Sequence, residues 1–397
     1  MGYRNVAILG VSQALAGAAV PLITLIGGVV WTEIAPSPKF ATVPQALIVV
    51  GVALCTFPAA FVMKRVGRRA GFMGATALAI LNALIAAYAL HIRSFPLFCL
   101  CMVFIGATGS FVNQFRFAAI ESVDANRTSR AVSLVLLGGI AGGFLGPEIG
   151  RRTRDLLPFG HYTGSFVCLA LIYLLVVCLL SFLRLPGVKA QEGGATGAER
   201  PLSAIVRQPV YLVALLAGVC GYGVMTFLMT ATPIAMHVHD GFSMDATAVV
   251  IQSHVFAMFV PSLFAGLLIE RFGAPKIMMV GVGAMATCVA LAAASHQYMN
   301  YWGALVLLGV GWNFLYVGGT ILLTRTYQPA ELFKAQAAND FTVFGIQATA
   351  SLTAGTIIQA LDWSRMVLLV LPLLAVMLVA LIVVQWRFTR GAPLHAA

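Results

Sequence analysis

Four side chains carry the most pointed chemistry in this sequence: Met225 and Met229, then His254 and Met258. Each pair is spaced i, i+4, which on a helix sets both members on one face. Thioethers are soft ligands that select Cu(I), and imidazole also binds copper. Neutral ligands leave the ion's charge uncompensated, which suits weak, exchangeable binding. Five of the fifteen methionines (Met225, Met229, Met236, Met244, Met258) fall in this one stretch. Plainer readings stand beside these. Methionine is a common gap-filler in apolar cores. A lone membrane histidine can be a packing residue bonded to a neighbouring helix.

The loop between the two pairs reads MHVHDGFSMD. Met236, His237, His239, Met244 and Asp240 could capture an ion at the mouth, or the loop is simply a polar connection with an Asp-Gly turn. The elements that must position the four ligands are membrane helices. Of 397 residues, 60% are hydrophobic and 9% charged, where a soluble domain carries about 25% charged residues. Mean hydropathy is +0.95. The net charge of +11 fits cationic loops on one side of a lipid bilayer better than a nucleic-acid partner.

Crossing a bilayer takes about 20 apolar residues. Twelve stretches qualify: 6–30, 43–63, 70–90, 96–119, 131–150, 162–184, 209–236, 247–269, 275–295, 300–324, 335–360 and 365–387. The first is too long for a signal h-region and lacks a small-residue cleavage site, so it reads as a span. A polar, Gly- and Ala-rich segment, 185–208, divides the chain into an N-terminal half, 1–184, and a C-terminal half, 209–397. The fold class expected is therefore all-α, with twelve transmembrane helices in two six-helix halves. With the N-terminus cytoplasmic, eighteen of the 24 Lys and Arg residues fall on the cytoplasmic side. That bias puts both termini in the cytoplasm. The exception is Arg151, Arg152 and Arg154 on the outer side.

All seven cysteines sit in apolar runs without a CxxC, which argues against a disulfide framework. Ionisable residues deep in a span are costly and usually functional. Arg116, Glu121, Glu270, Arg325 and Asp340 count as lying near cytoplasmic span ends, and Glu33, Glu148 and Asp362 near outer ones. His254 alone counts as deep. Gln13, Asn113, Gln114, Asn313 and Gln347 could line a cavity or bond between helices. No P-loop, nucleophile elbow or HExxH is present, so an enzyme is not expected.

An internal repeat supports the two halves. AFVMKRVGRR at Ala60–Arg69 and GLLIERFGAP at Gly266–Pro275 align Arg65 with Arg271 and Gly67 with Gly273, as in a parallel duplication. These turns, with the twelve spans, resemble the major facilitator superfamily, whose signature has the form G-x-L-x-D-R-x-G-R-R. Gly266, Leu268, Glu270, Arg271 and Gly273 match it; Lys64 and Ala60 depart from it in the first copy. In the family the acidic residue helps latch the cytoplasmic side, a role that the resemblance carries to Glu270 only. Gly138–Gly150, GGIAGGFLGPEIG, resembles the glycine-rich motif of the family's fifth helix. Small residues there let helices approach closely, and Pro147 can kink the span.

M-x-x-x-M in span seven with H-x-x-x-M in span eight resembles one branch, the CcoA-type copper importers. The resemblance implies copper ions as the transported substrate, with no cofactor. It implies uptake across a bacterial inner membrane for cbb3-type cytochrome c oxidase assembly, and partners among copper chaperones and oxidase assembly factors. Met225, Met229, His254 and Met258 would hold the metal. That branch also carries functional cysteines, to which Cys55 and Cys220 correspond only loosely. The competing expectation is a proton-coupled transporter of small organic molecules or drugs. Such a carrier usually needs a protonatable cavity group, and His254 is the only deep one counted. A non-transporting receptor suits the duplication less well, since two rocking halves suit transport.

Overall fold

The computed structural model describes residues 2–23, 34, 36, 43–185 and 199–389. Residues 24–30 of the first expected span, Glu33, Lys39, linker residues 186–198 and Arg390 lie outside the described residues.

Lipid offers no hydrogen bonds, so a spanning segment must pair its own backbone, and long apolar runs close into helices. Among the described residues twelve helices are long and apolar enough to cross a membrane. They are α1 (Tyr3–Ile23), α2 (Val43–Val66), α3 (Arg68–His91), α4 (Phe95–Ile120), α5 (Ala125–Thr153) and α6 (Thr163–Ser181). The second set is α7 (Pro209–His237), α8 (Asp245–Phe272), α9 (Ala274–Ala294), α10 (Tyr298–Leu323), α11 (Pro329–Ala360) and α12 (Trp363–Trp386). No strand occurs among the described residues. The all-α, twelve-helix expectation stands.

The helices gather into two compact units. Unit 1 holds residues 1–125 and 134–192, and unit 2 holds 126–133 and 193–397. The opening turns of α5 thus cluster with unit 2.

The repeated turns have matching backbones. Gly67 (φ 84°, ψ 159°) joins α2 to α3, and Gly273 (φ 87°, ψ 148°) joins α8 to α9. That region of dihedral space is essentially restricted to glycine. The charges around the two turns differ. In unit 1, Arg68 is buried and grips Glu121 bidentately at 2.8 and 2.7 Å, with Gln114 at 3.2 Å. In unit 2, Glu270 accepts from Arg130 at 2.7 Å.

Unit 1 is drawn together by a row of glycines. Gly138, Gly142 and Gly146 repeat every four residues on α5 and lie on α1. A Cβ at these positions would sit 2.3, 2.8 and 2.4 Å from the carbonyl oxygens of Gly10, Ala14 and Ala18. Only hydrogen fits there, so the backbones touch and dispersion operates at short range.

At the basic end of unit 2, residues 199–208 are tied to the α10–α11 turn. Arg200 donates to both carboxylate oxygens of buried Glu331 (2.8 and 2.6 Å) and to the Thr326 carbonyl (3.1 Å). That pairing raises the pKa of the Arg200 guanidinium further above its ordinary value. Gln208 also donates to Thr326, and Lys334 donates to the Arg200 carbonyl. Removing a buried hydrogen-bonding partner costs about 1–3 kcal/mol. Glu331→Ala is therefore expected to lower the Tm of the purified protein by about 3 °C or more, read by scanning fluorimetry. A Tm equal to wild type would mean that residues 199–208 are held by other contacts.

Candidate functional site

The sequence pointed to α7 and α8, and the structure shows how each is held. α7 is not one regular helix. Its turns at Cys220–Val224 and Ile234–His239 are π-helical. Single π turns insert an extra residue into a helix and occur often at functional sites. Met225–Pro233, which carries Met225 and Met229, packs mainly on α11 and only lightly on α8. Met225 is buried and its sulfur accepts a weak bond from the Thr226 hydroxyl at 3.8 Å; Met229 is half-buried.

α8 leans on α10. Pro261 lacks an N–H, and α8 breaks at Val260–Pro261, as expected for an interior proline. Asn313 of α10 spans the break. Its amide donates to the Met258 carbonyl (2.7 Å) and the Ser262 hydroxyl (2.6 Å). One turn earlier Gly309 lets the helices close, since a Cβ there would lie 2.7 Å from the His254 carbonyl oxygen. His254 is fully buried at this seam. Its Nδ1 donates to the Leu305 carbonyl at 2.8 Å, which leaves Nε2 as a buried acceptor with no hydrogen-bond partner. Met258 is half-buried on the next turn. So the histidine is fully buried and seated between α8 and α10. The methionine pair of α7 rests on a different neighbour.

The loop ligands divide. Met236 is fully buried. His237 is exposed, with Nδ1 donating to the Phe242 carbonyl at 2.7 Å, and His239 is exposed. The side chain of Met244 lies outside the described residues. Cys55 is half-buried in α2; Cys220 is fully buried, with its sulfur 3.7 Å from the Leu373 carbonyl. Among the described residues no three His, Cys, Asp or Glu side chains gather as a metal site.

Asp340 counted as near a span end because span eleven was expected to start at 335. The helix instead begins with a tight turn at Pro329–Glu331. Asp340 therefore lies about three turns inside α11 and is 2% exposed, accepting from Asn339 at 2.9 Å. Arg116, 3% exposed in α4, stacks its guanidinium over Phe117 at 4.5 Å.

The feature missed in the sequence is an aromatic cluster in unit 2. Tyr222, in the first π turn of α7, sets its ring edge-on to Trp312 (5.3 Å), Tyr316 (5.2 Å) and Phe344 (5.3 Å). Trp312 and Tyr316, one turn apart on α10, stack at 4.9 Å. Phe259, beside the α8 break, meets Trp312 edge-on at 5.7 Å. Rings from α7, α8 and α10 thus meet at one indole, and α11 joins through Tyr222. Such ring pairs are each worth about 0.5–1.5 kcal/mol beyond burial. Trp312 is 2% exposed, and among the described residues its indole N–H has no hydrogen-bond partner. Tyr222 and Phe259 are half-buried. Chemically this is a set of π faces and edges around one buried donor, suited to a flat, unsaturated ring system with a carbonyl. The signal was present in Gly221-Tyr222-Gly223 and in the i, i+4 pair Trp312/Tyr316.

Known proteins give a consistent background. The Major Facilitator Superfamily model matches residues 5–261. The chain is 40% identical over 379 residues to the riboflavin transporter RfnT of Brucella anthropi, covering 96% of this chain and 95% of that one. It is 26% identical over 404 residues to the uncharacterized MFS-type transporter YddS of Bacillus subtilis, covering 98% and 91%. Among solved structures, the MFS transporter FucP in the outward conformation aligns with a TM-score of 0.73 at 16% identity, covering 95% and 97%. Twelve apolar helices and these matches make the chain a multi-pass membrane transporter rather than an enzyme. It belongs to the Major Facilitator Superfamily.

Proposed function

We propose that this chain carries a small, planar heteroaromatic molecule of the riboflavin type across the membrane by alternating access. The observation that carries the reading is the cluster around Trp312, taken with 40% identity to a riboflavin transporter along nearly the whole chain. An isoalloxazine ring is flat, polarisable and bears carbonyls. Aromatic side chains bind such a ring by stacking and edge contacts, and the buried indole N–H of Trp312 can donate to a carbonyl. The setting is a bacterial inner membrane, with the basic turns and both termini on the cytoplasmic side. Two buried side chains able to carry a coupling proton, His254 and Asp340, are compatible with proton coupling. Glu270, paired with Arg130, is the proposed cytoplasmic latch.

The copper reading is the less supported, because a carrier 40% identical to this chain is described as a riboflavin transporter. One observation keeps it as a second reading: Nε2 of His254 is buried without a hydrogen-bond partner and could ligate an ion alongside Met225, Met229 and Met258. Copper chaperones and oxidase assembly factors would be partners only on that reading. The two are separated by one experiment on purified protein in liposomes. Riboflavin is expected to quench on binding and to exchange across the membrane, while Cu(I) does neither nor competes. Copper flux that disappears in His254→Ala or Met229→Ala, with no flavin flux, would reverse the order.

A further inference from the structure

An uncovered groove runs along unit 1 between α1 and α5, away from the aromatic site. Its volume is about 910 Å³, within the range of about 300–1,000 Å³ found for ligand sites. Gly10 and Gly138, whose backbones touch, form its floor. Val11, Leu134 and Phe144 rise from that floor as exposed walls. The lining falls within residues 3–15 of α1 and 134–148 of α5. At 1.5 Å per residue the groove is about 20 Å long, more than the roughly 15 Å depth of one leaflet. Of the lining side chains only Tyr3 and Glu148 carry polar atoms. A cargo with carbonyls and hydroxyls finds no partners along such a wall, whereas a hydrocarbon chain fits it.

The groove ends in charge. Glu148 accepts from Arg151 at 2.8 and 2.7 Å and also from Arg152. The side chains of the two arginines are 73% and 74% exposed. One carboxylate against two guanidiniums leaves a single positive charge, and each guanidinium keeps N–H donors that Glu148 does not use. Arg154, next along, is taken up by Asp155 at 3.9 Å and by the Tyr162 ring at 5.5 Å. The α5–α6 loop then exposes Leu156 and Phe159, and His91 pins it by donating from Nδ1 to the Phe159 carbonyl at 3.0 Å. Apolar tips beside arginines suit the headgroup boundary of a bilayer, where both find partners.

We propose that unit 1 holds a site for one anionic phospholipid, whose phosphodiester sits on Arg151 and Arg152 and whose acyl chain lies in the α1–α5 groove.

Charge chooses the lipid. A phosphodiester carries one negative charge and offers oxygens that arginine bonds bidentately, so it balances the one positive charge that Glu148 leaves over. Phosphatidylglycerol brings that charge alone, while phosphatidylcholine adds a quaternary ammonium that the arginines repel. The chain contributes differently. Lipid tails are as apolar as the groove, so no hydrophobic force favours the groove over bulk lipid, and the chain is held by dispersion against the walls. Arg151 and Arg152 stand at the end of unit 1 remote from the Gly67 turn, against the bias of the other cations, and a bound phosphate supplies their counter-charge. The site is independent of the cargo.

Native mass spectrometry of the full chain, released from detergent with equal amounts of phosphatidylglycerol and phosphatidylcholine bearing the same chains, tests this. Wild type is expected to retain one phosphatidylglycerol about fivefold in preference to phosphatidylcholine, the ratio for one net charge near a headgroup surface. The double variant Arg151→Gln, Arg152→Gln should bring that ratio to about one; both positions are exposed, so folding is spared. Ala141 is an exposed lining residue. Ala141→Trp fills the groove without touching the arginines and should lower phosphatidylglycerol retention at least about threefold. A wild-type ratio of about one would overturn the proposal, as would a preference that survives the loss of both arginines. Retention unchanged by Ala141→Trp, in protein of normal Tm, would overturn it too, because the headgroup would then be held with no chain in the groove.

Discussion

Replacing Trp312 with alanine is expected to abolish flavin binding while the protein still reaches the membrane. The indole is the common member of the stack with Tyr316 and the edge contacts with Tyr222 and Phe259. Its loss leaves three rings without the surface that orders them, and core Trp→Ala changes cost about 3–5 kcal/mol. That cost falls on folding; on the binding side, a loss above about 1.4 kcal/mol weakens affinity more than tenfold. Trp312→Phe is the finer probe. It keeps one aromatic ring but removes the N–H together with part of the indole surface, and the net worth of the hydrogen bond alone is about 0.5–1.5 kcal/mol. A three- to tenfold rise in Kd is therefore expected (~0.6–1.4 kcal/mol), read by quenching of flavin fluorescence. An unchanged Kd in Trp312→Ala, in protein of normal Tm, would remove the aromatic cluster from the binding site.

The second large effect belongs to unit 1. Gly142→Leu is expected to prevent accumulation of folded protein. A Cβ at 142 would lie 2.8 Å from the Ala14 carbonyl oxygen and 3.1 Å from the Gly17 carbonyl carbon. Both are backbone atoms of α1 and cannot swing aside as a side chain would. Overpacking costs about 1–3 kcal/mol even where neighbours can adjust, and here a whole helix must retreat. Gly142→Ala should give a weakened but detectable protein. Size-exclusion profiles of the two variants check this, and a monodisperse Gly142→Leu protein of wild-type yield would contradict it.

The twelve spans, the duplication and the glycine motif were legible because each rests on local chemistry. A span needs length and apolarity, a helix crossing needs a missing Cβ, and the Gly67 and Gly273 turns need a backbone that only glycine adopts. His254 was found for the same reason, as a polar group in an apolar run. α11 starts before span eleven was expected to, because its first turn is polar and tight and the hydrophobic pattern starts after the helix does. The aromatic cluster escaped because Trp312, Tyr316 and Phe344 at helical spacing look like ordinary packing. Nothing in the sequence announces the π turn beside Tyr222. The α7 methionines and the α8 histidine were joined by their i, i+4 spacing and the antiparallel run of spans seven and eight. The packing of α7 on α11 and of α8 on α10 answers to tertiary shape, which the spacing of residues does not encode.

The one-residue junctions at Gly67 and Gly273 also bear on how the chain enters a membrane. α2 and α3 are separated by a single residue, as are α8 and α9. Each pair therefore reaches the bilayer with no slack between its members, and the cationic side chains flanking the glycine resist translocation. The first helix of a pair cannot settle alone and wait. Both must enter together as a preformed hairpin, with the glycine held at the surface. The smallest piece of either unit that can be laid down correctly is thus a pair of helices, and a chain interrupted between Val66 and His91 is left with half of one.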